Sequence, residues 1–216
     1  FGAVISVVGY LIGIFLRKKI SVLNPLLVSI IFVIAVIKIF HIDYETYNSG
    51  AKYISYLLTP ATVCLAIPLY RQISVLKEHA KEVFIGILAG VLASMGSILL
   101  MSYLFGLTHE QYVTLLPKSI TTAIGMGVSE ELGGIQTITV AVIIITGVLG
   151  NIIAEAVLKI FRIKEPVAKG LAIGTASHAI GTTKALEIGE IEGAMSSLSV
   201  AVAGLMTVIS ASIFAN

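Results

Sequence analysis

The chain has 216 residues, of which 57% are hydrophobic and only 12% charged, with a formal net charge of +2. A soluble domain carries about twice that charged share, and a mean hydropathy of +1.02 excludes one here. The charge balance marks no nucleic-acid partner, because no basic stripe is interleaved with aromatics. Cys64 is the single cysteine, which rules out an intrachain disulfide or a cysteine metal cluster.

Apolar stretches of bilayer-spanning length recur from end to end. They predict membrane helices over 2–16, 23–41, 82–105, 136–158 and 191–214. The first begins at Phe1 without a methionine, so a few preceding residues are expected. No small-residue cleavage site follows its basic flank, so it does not read as a signal peptide. Three further segments are apolar but interrupted: "YLLTPATVCLAIPLY" (56–70), "LLPKSITTAIGMGVSEELGG" (115–134) and "KGLAIGTASHAIGTTK" (169–184). Pro60 and Pro68 break the first, since proline lacks an N–H and clashes with the preceding turn. Pro117, Gly125 and Gly127 loosen the second, and Gly170, Gly174 and Gly181 the third. Irregular backbone at membrane depth persists only where protein or a wet cavity satisfies its polar groups, so these segments predict a cavity. The expected fold is all-α: a polytopic helical membrane protein with internal repeats and discontinuous or re-entrant helices, forming a single integral membrane domain over residues 1–216.

The interrupted segments look related. "PATVCLAI" (60–67) and "PKSITTAI" (117–124) align at an offset of 57, and "ILAGVL" (87–92) lies over "IITGVL" (144–149) at the same offset. A further 57 places "AGLM" (203–206) over "TGVL" (146–149), bringing Gly90, Gly147 and Gly204 into register. Repeat-like units over about 52–106, 113–163 and 168–214 follow, each an interrupted segment and then a full helix. Repeats with discontinuous helices in matching places point to a transporter's binding site. Basic residues cluster at 17–19, 71–81 and 159–169, and the positive-inside rule puts all three on the cytoplasmic side. That holds if 56–70 crosses while 115–134 enters and returns on the same side, an arrangement at odds with three equivalent units.

The densest polar cluster is "GTASHAIGTTK" (174–184). An ionisable residue inside a membrane is costly unless paired or wet, so its default reading is functional. On a continuous helix, Gly170, Gly174 and His178 share one face, and Thr175 and Thr182 reach the ring of His178. A break near Ala179–Gly181 would start a half-helix whose free N–H groups and dipole favour a small anion. The alternative is packing, in which small residues let helices approach and Ser177 and His178 bond across them. In "PKSITTAIGMG" (117–127), Lys118, Ser119, Thr121 and Thr122 offer one cation and three hydroxyls. The alternative there is a lysine snorkelling to headgroups and hydroxyls bonding back to their own helix. Gly147, Asn151 and Glu155 recur every four residues along one face. Asn151 lies mid-membrane and needs a partner, whereas Glu155 has Lys159 at i+4 for an ion pair. Glu187 and Glu190 read as solvated, while Glu192 and Ser196–Ser197 lie near a helix start, where a carboxylate suits the dipole.

No enzyme is expected. Ser177 and His178 are no dyad by adjacency, no zinc signature occurs, and His41, His79, His109 and His178 are scattered. Neither catalytic residues, nor metal ligands, nor a cofactor are expected.

The stretches "NPLLVSI" (24–30), "LLTPATVCLAIPLYRQ" (57–72), "LLPKSITTAIGMGVS" (115–129) and "GLAIGTASHAIGTTKALEIGEIEGAMSSL" (170–198) resemble the LrgB/CidB family of antiholin-like membrane proteins. Its plant members are plastid glycolate/glycerate transporters. One departure is Ala123, where the family usually has proline, which leaves the second segment's break to Gly125 and Gly127. The resemblance implies two roles: control of murein hydrolase activity and cell lysis beside a small holin-like LrgA/CidA-type partner, and transport of small monocarboxylates such as pyruvate or glycolate. Broken helices with buried hydroxyls suit a carrier better than an oligomerising pore former, so transport is the leading expectation. The substrate carboxylate is expected between half-helix N-termini after Pro117 and near Gly181. The expected binding residues are Lys118, Ser119, Thr121, Thr122, Asn151, Ser177, His178, Gly181 and Thr182, with His178 free to couple a proton. The small-residue faces suit a homodimer in the lipid bilayer, and the resemblance implies a bacterial or archaeal plasma membrane.

Overall fold

A computed structural model describes residues 1–20, 23–57, 60, 63, 64 and 66–215. The described residues form helices, turns and no strand, and they divide into two compact units, Phe1–Cys64 and Leu65–Asn216.

The first unit contains α1 (Gly2–Lys19), α2 (Pro25–Ile39) and α3 (Tyr44–Ser55). Gly2, Ser6, Gly9 and Gly13 recur at alternating spacings of four and three, which lines them along one face of α1. That face packs on both partners: a Cβ at Gly9 would lie 2.9 Å from Phe32 Cδ1, and Gly2 abuts Tyr47 O. Polar groups in the seam pair off, with the Ser6 hydroxyl 2.8 Å from that of Tyr47 and the Ser29 hydroxyl donating to Ser6 O. Asn24 caps α2 by accepting from Leu26 and Leu27 N–H, and Asp43 caps α3 by accepting from Glu45 N–H.

The second unit holds α4 (Ala66–Arg71), α5 (Ile73–Glu78), α6 (Ala80–Phe105), α7 (His109–Leu115), α8 (Thr122–Glu131), α9 (Gln136–Ile160), α10 (Pro166–Ile188) and α11 (Glu190–Phe214). Among the described residues, α6, α9 and α11 are the helices long and apolar enough to cross a membrane. On α6, Val83, Ile87, Val91, Met95 and Ile98 are buried at helical spacing, while Phe84, Ile85, Leu92, Leu99 and Leu100 are exposed. An exposed apolar face on a helix of this length is the face that meets lipid.

The packing of α10 shows that it turns back on itself. His178, at φ 41° and ψ −144°, breaks the helix. Before it, Gly170 abuts Glu192 and Met195 while Gly174 abuts Ser196 and Ser199, so this arm runs parallel to α11. After it, Thr182 bonds Ser196 at 2.9 Å and Leu186 abuts Gly193, so the second arm runs antiparallel to α11. At the tip a Cβ on Gly181 would meet Ile173 O at 3.2 Å, a contact that a straight helix cannot make. Lys169 and Ile188 therefore border one cleft at the same end of the unit. That end, where α9 finishes and α6 and α11 begin, is called here the first end.

A second hairpin enters from the opposite end. Tyr112 of α7 donates to Phe214 O at 2.8 Å, at the finish of α11. The chain turns over residues 116–121, where Ser119 reaches Ser94 in the middle of α6. It then returns as α8, so that Ser129 and Thr114 both meet Thr139 near the start of α9. The two hairpins begin and end 57 residues apart, at His109 and Pro166 and at Glu131 and Ile188. Of the basic clusters, those at 71–81 and 159–169 lie at the first end.

The five uninterrupted helices form where hydropathy predicts them, with ends shifted by up to three residues. The breaks need correction. The second segment turns at 116–121 rather than at Gly125 and Gly127, which sit inside α8. Proline removes a donor outright, whereas glycine only permits irregularity. Pro68 does not interrupt α4, which runs through it from Ala66 to Arg71. The crossing expected over 56–70 and the break at Pro60 fall largely outside the described residues.

Thr139 ties the base of the first hairpin, and its hydroxyl is fully buried against Thr114 O and Ser129 Oγ. Thr139→Val should destabilise the fold by about 1–2 kcal/mol, read as a lower unfolding midpoint in detergent. In a Cys64→Ala background, cysteines at exposed His109 and Lys164 should be labelled by an impermeant maleimide from opposite sides of the membrane. Labelling of both from one side would refute the opposed hairpins.

Candidate functional site: two hairpin tips at mid-helix

At the tip of the first hairpin, the Lys118 ammonium donates to Ser119 Oγ at 3.1 Å and to Ser94 Oγ at 3.5 Å. Ser94 and Ser119 are themselves 2.8 Å apart. Lys118 thus turns inward to hydroxyls instead of snorkelling. Thr121 occupies the N-cap position of α8 without a side-chain cap bond, and both it and Thr122 are half-buried at the positive end of that helix.

At the tip of the second hairpin, His178 is 3% exposed and its Nε2 lies 3.0 Å from Ile143 O. A carbonyl only accepts, so Nε2 carries a proton. The ring rests on Gly147, where a Cβ would stand 2.6 Å from His178 Cε1, and Ser177 rests on Gly150. Asn151 finds its partners in the same place: Nδ2 donates to Ile180 O at 2.9 Å and to Thr183 Oγ1 at 3.0 Å. Positive φ with extended ψ is a region that strongly favours glycine, costing about 1–3 kcal/mol at another residue; the bond to Ile143 holds His178 there, and Asn151 holds Ile180 just beyond it.

Several expected contacts differ because the helix breaks at His178, one residue before the expected Ala179–Gly181. Gly170 and Gly174 face α11 while His178 faces α9, so the three do not share one face. Thr175 donates to Leu171 O, and Thr182 bonds His178 O and Ser196 Oγ; neither reaches the imidazole. Gly181 sits inside the reversal, against Ile173 and Ser177. Glu155 pairs with Lys184 instead of Lys159, because the returning arm brings Lys184 alongside α9. Glu192, buried in the first turn of α11, pairs with Lys169 at 3.6 Å.

The turn of the first hairpin and the arm that leads into the second tip border one small void. Ser119 and Pro117 from the first hairpin, Thr175 from the second, Ser94 from α6 and Thr207 from α11 line a cavity of about 10 Å³. That is room for about one water molecule and too little for a three-carbon acid. Ser177 and His178 lie on the α9 side of the second tip, away from this void. Sequence reasoning missed Ser94 and Thr207 as lining residues. Each shares its helix with other hydroxyls, Ser97 and Ser102 on α6 and Ser196, Ser197, Ser199, Ser210 and Ser212 on α11, so nothing local singles it out.

These features define a class: an integral membrane protein centred on two re-entrant helical hairpins that approach from opposite ends and meet near the middle of its crossing helices. The chain belongs to the LrgB-like family, which matches residues 6–216. It is 39% identical over 212 residues to proteins named antiholin-like protein LrgB from Bacillus mycoides (strain KBAB4), Bacillus cereus (strain B4264) and Bacillus anthracis (strain CDC 684 / NRRL 3495). Each match covers 97% of this chain and 92% of the relative. No solved structure matches it.

If the tips meet as described, Ser119→Cys and Thr175→Cys in a Cys64→Ala background should cross-link under mild oxidation, and neither single variant should. Absence of the cross-link, with both cysteines reactive to a thiol probe, would separate the tips.

Proposed function

We propose that this chain is an antiholin-like membrane protein, one that takes part in the control of murein hydrolase activity and cell lysis beside a small holin-like partner of the LrgA/CidA type. The observation that carries this reading is full-length similarity, 39% identity over 97% of the chain, to proteins bearing that name. The chain works as an integral membrane protein, and the plasma membrane is where a lysis-control role places it.

A second reading, a carrier for small monocarboxylates of the pyruvate or glycolate class, is favoured by the opposed broken hairpins. Their tips carry Lys118, Ser119, Thr121 and Thr122 on one side and Ser177, His178, Gly181 and Thr182 on the other. Asn151 braces the second tip. Hairpins 57 residues apart that enter from opposite ends support an inverted repeat. Each tip begins a returning half-helix whose N-terminal N–H groups favour an anion. The void has room for about one water, so on this reading the tips part to admit cargo. The reading also accommodates lysis control as a consequence of moving an acid across the membrane.

One experiment separates the two. Proteoliposomes holding the protein, with and without its holin-like partner, are assayed for uptake of labelled pyruvate and glycolate under an imposed pH gradient. Lysis rate is measured in parallel in cells lacking their own homologues. Saturable, mutually competing uptake that falls roughly tenfold in His178→Gln would establish the carrier, since losing the Ile143 bond frees a strained tip. Altered lysis with no uptake in any combination would leave the antiholin-like role alone. Unchanged, still pH-dependent uptake in His178→Gln would remove that residue from the mechanism.

A further inference from the structure

The cleft at the first end has a composition that neither reading above uses. It measures about 550 Å³ and is bordered by Lys159, Arg162, Lys164 and Lys169 over a floor of Leu158, Ile163 and Ile188. The one carboxylate at its rim, Glu155, is taken by Lys184, and Lys169 is paired with Glu192. Lys159, Arg162 and Lys164 have no ion-pair partner among the described residues, and all three are exposed. Three unpaired cations converge where α9 ends and α10 begins. Arg162 holds φ 56° there, at the position after a helix where glycine is the unstrained choice.

A second cavity adjoins the first. It measures about 190 Å³ and shares Leu158 and Ile163 with the cleft. It continues along the groove between α9 and the first arm of α10, past Ile153, Val157, Ala172 and Ala176, as far as Gly150 and Ser177. Its walls are apolar except for the Ser177 hydroxyl, and Ile153, Val157, Ala172 and Ala176 along it are exposed while Ala154, Leu158, Ile173 and Ser177 are buried at its back. A basic mouth at a membrane edge opening into an apolar groove along a crossing helix matches one kind of molecule: an amphiphile with an anionic head and an acyl chain. Basic pockets between membrane helices on the cytoplasmic side recognise anionic lipid headgroups, and the positive-inside rule puts this end in the cytoplasm.

We propose that an anionic phospholipid binds this site, its phosphate at Lys159, Arg162 and Lys164 and one acyl chain in the groove between α9 and the second hairpin. The chain would lie against the outer side of the arm that carries Ser177 and His178. Lipid occupancy would then brace the hairpin in this position, whatever the protein does with its tips. This site is independent of both functional readings.

The test uses the full-length protein in mixed micelles of a neutral detergent. Phosphatidylglycerol and phosphatidylcholine with identical acyl chains, and inorganic phosphate, are titrated separately. Bound lipid is counted by native mass spectrometry, and thermal unfolding is followed alongside. Phosphatidylglycerol should bind roughly tenfold more tightly than phosphatidylcholine and raise the unfolding temperature, as expected for two or three headgroup cations near a membrane surface. Arg162→Gln with Lys164→Gln should abolish the preference between the two lipids. Ala172→Phe, which fills the groove and leaves the cations in place, should weaken both. Stabilisation by inorganic phosphate equal to that by phosphatidylglycerol would reduce the site to a free-anion site and overturn the lipid assignment. Undiminished phosphatidylglycerol binding in both variants would also overturn it. So would a dimer that Ala172→Phe dissociates without any change in bound lipid, because the groove would then hold a second copy.

Discussion

In a bilayer, backbone N–H and C=O groups have no water to turn to, and every departure from helix must find a partner within the protein. The second unit is organised around that constraint. Breaking α10 at His178 disrupts the helical bonding of the tip, and the structure answers with Asn151 on Ile180 O and His178 Nε2 on Ile143 O. At the other tip, the turn at 116–121 is met by local bonds from Lys118 N to Leu115 O and from Ile120 N to Pro117 O. Lys118, Ser119 and Ser94 form a hydroxyl–ammonium cluster beside it. The crossing helix α9 is central to the arrangement, because residues 143–155 satisfy the second hairpin along most of its returning arm.

Small residues allow the approach on which those bonds depend. Gly147 and Gly150 form a flat strip on α9 that lets the ring of His178 and the Ser177 side chain lie directly on helix backbone. Without them the tip would stand off by a side chain, and the bond from Nε2 to Ile143 O could not form. Burial of Ser177 follows from the same closeness. Hydroxyls at a packed helix interface are tolerated because each can bond locally, as Thr182 does to His178 O and to Ser196. In the "GTASHAIGTTK" stretch, close packing thus brings hydroxyls to the middle of the crossing helices.

Much of this architecture was legible in the residues. Hydropathy located α1, α2, α6, α9 and α11, because a long apolar run has few other stable states. The offset of 57 that relates 60–67 to 117–124 in the sequence is also the spacing between the two hairpins. Asn151 was marked as needing a partner, and it has one. What was not legible is direction. Nothing local in residues 169–184 says whether the chain continues or reverses at His178, because proline is absent there and glycine is permissive either way. The reversal decides that Glu155 meets Lys184 and not Lys159, that Gly170 and Gly174 face α11, and that three cations at 159–164 are left without carboxylates.

The sequence by itself determined that this is a helical membrane protein, where its long apolar helices lie, and which residue types occupy the interrupted segments. Those properties follow from composition, from the length of apolar runs, and from where proline and polar groups interrupt them. Only the tertiary structure decided that the interrupted segments at 109–131 and 166–188 re-enter from opposite ends and border one void with room for about one water. The physical reason is that reversal depends on bonds to distant residues, such as Ile143, Asn151 and Ser94. Their positions relative to the tips are set by packing between helices.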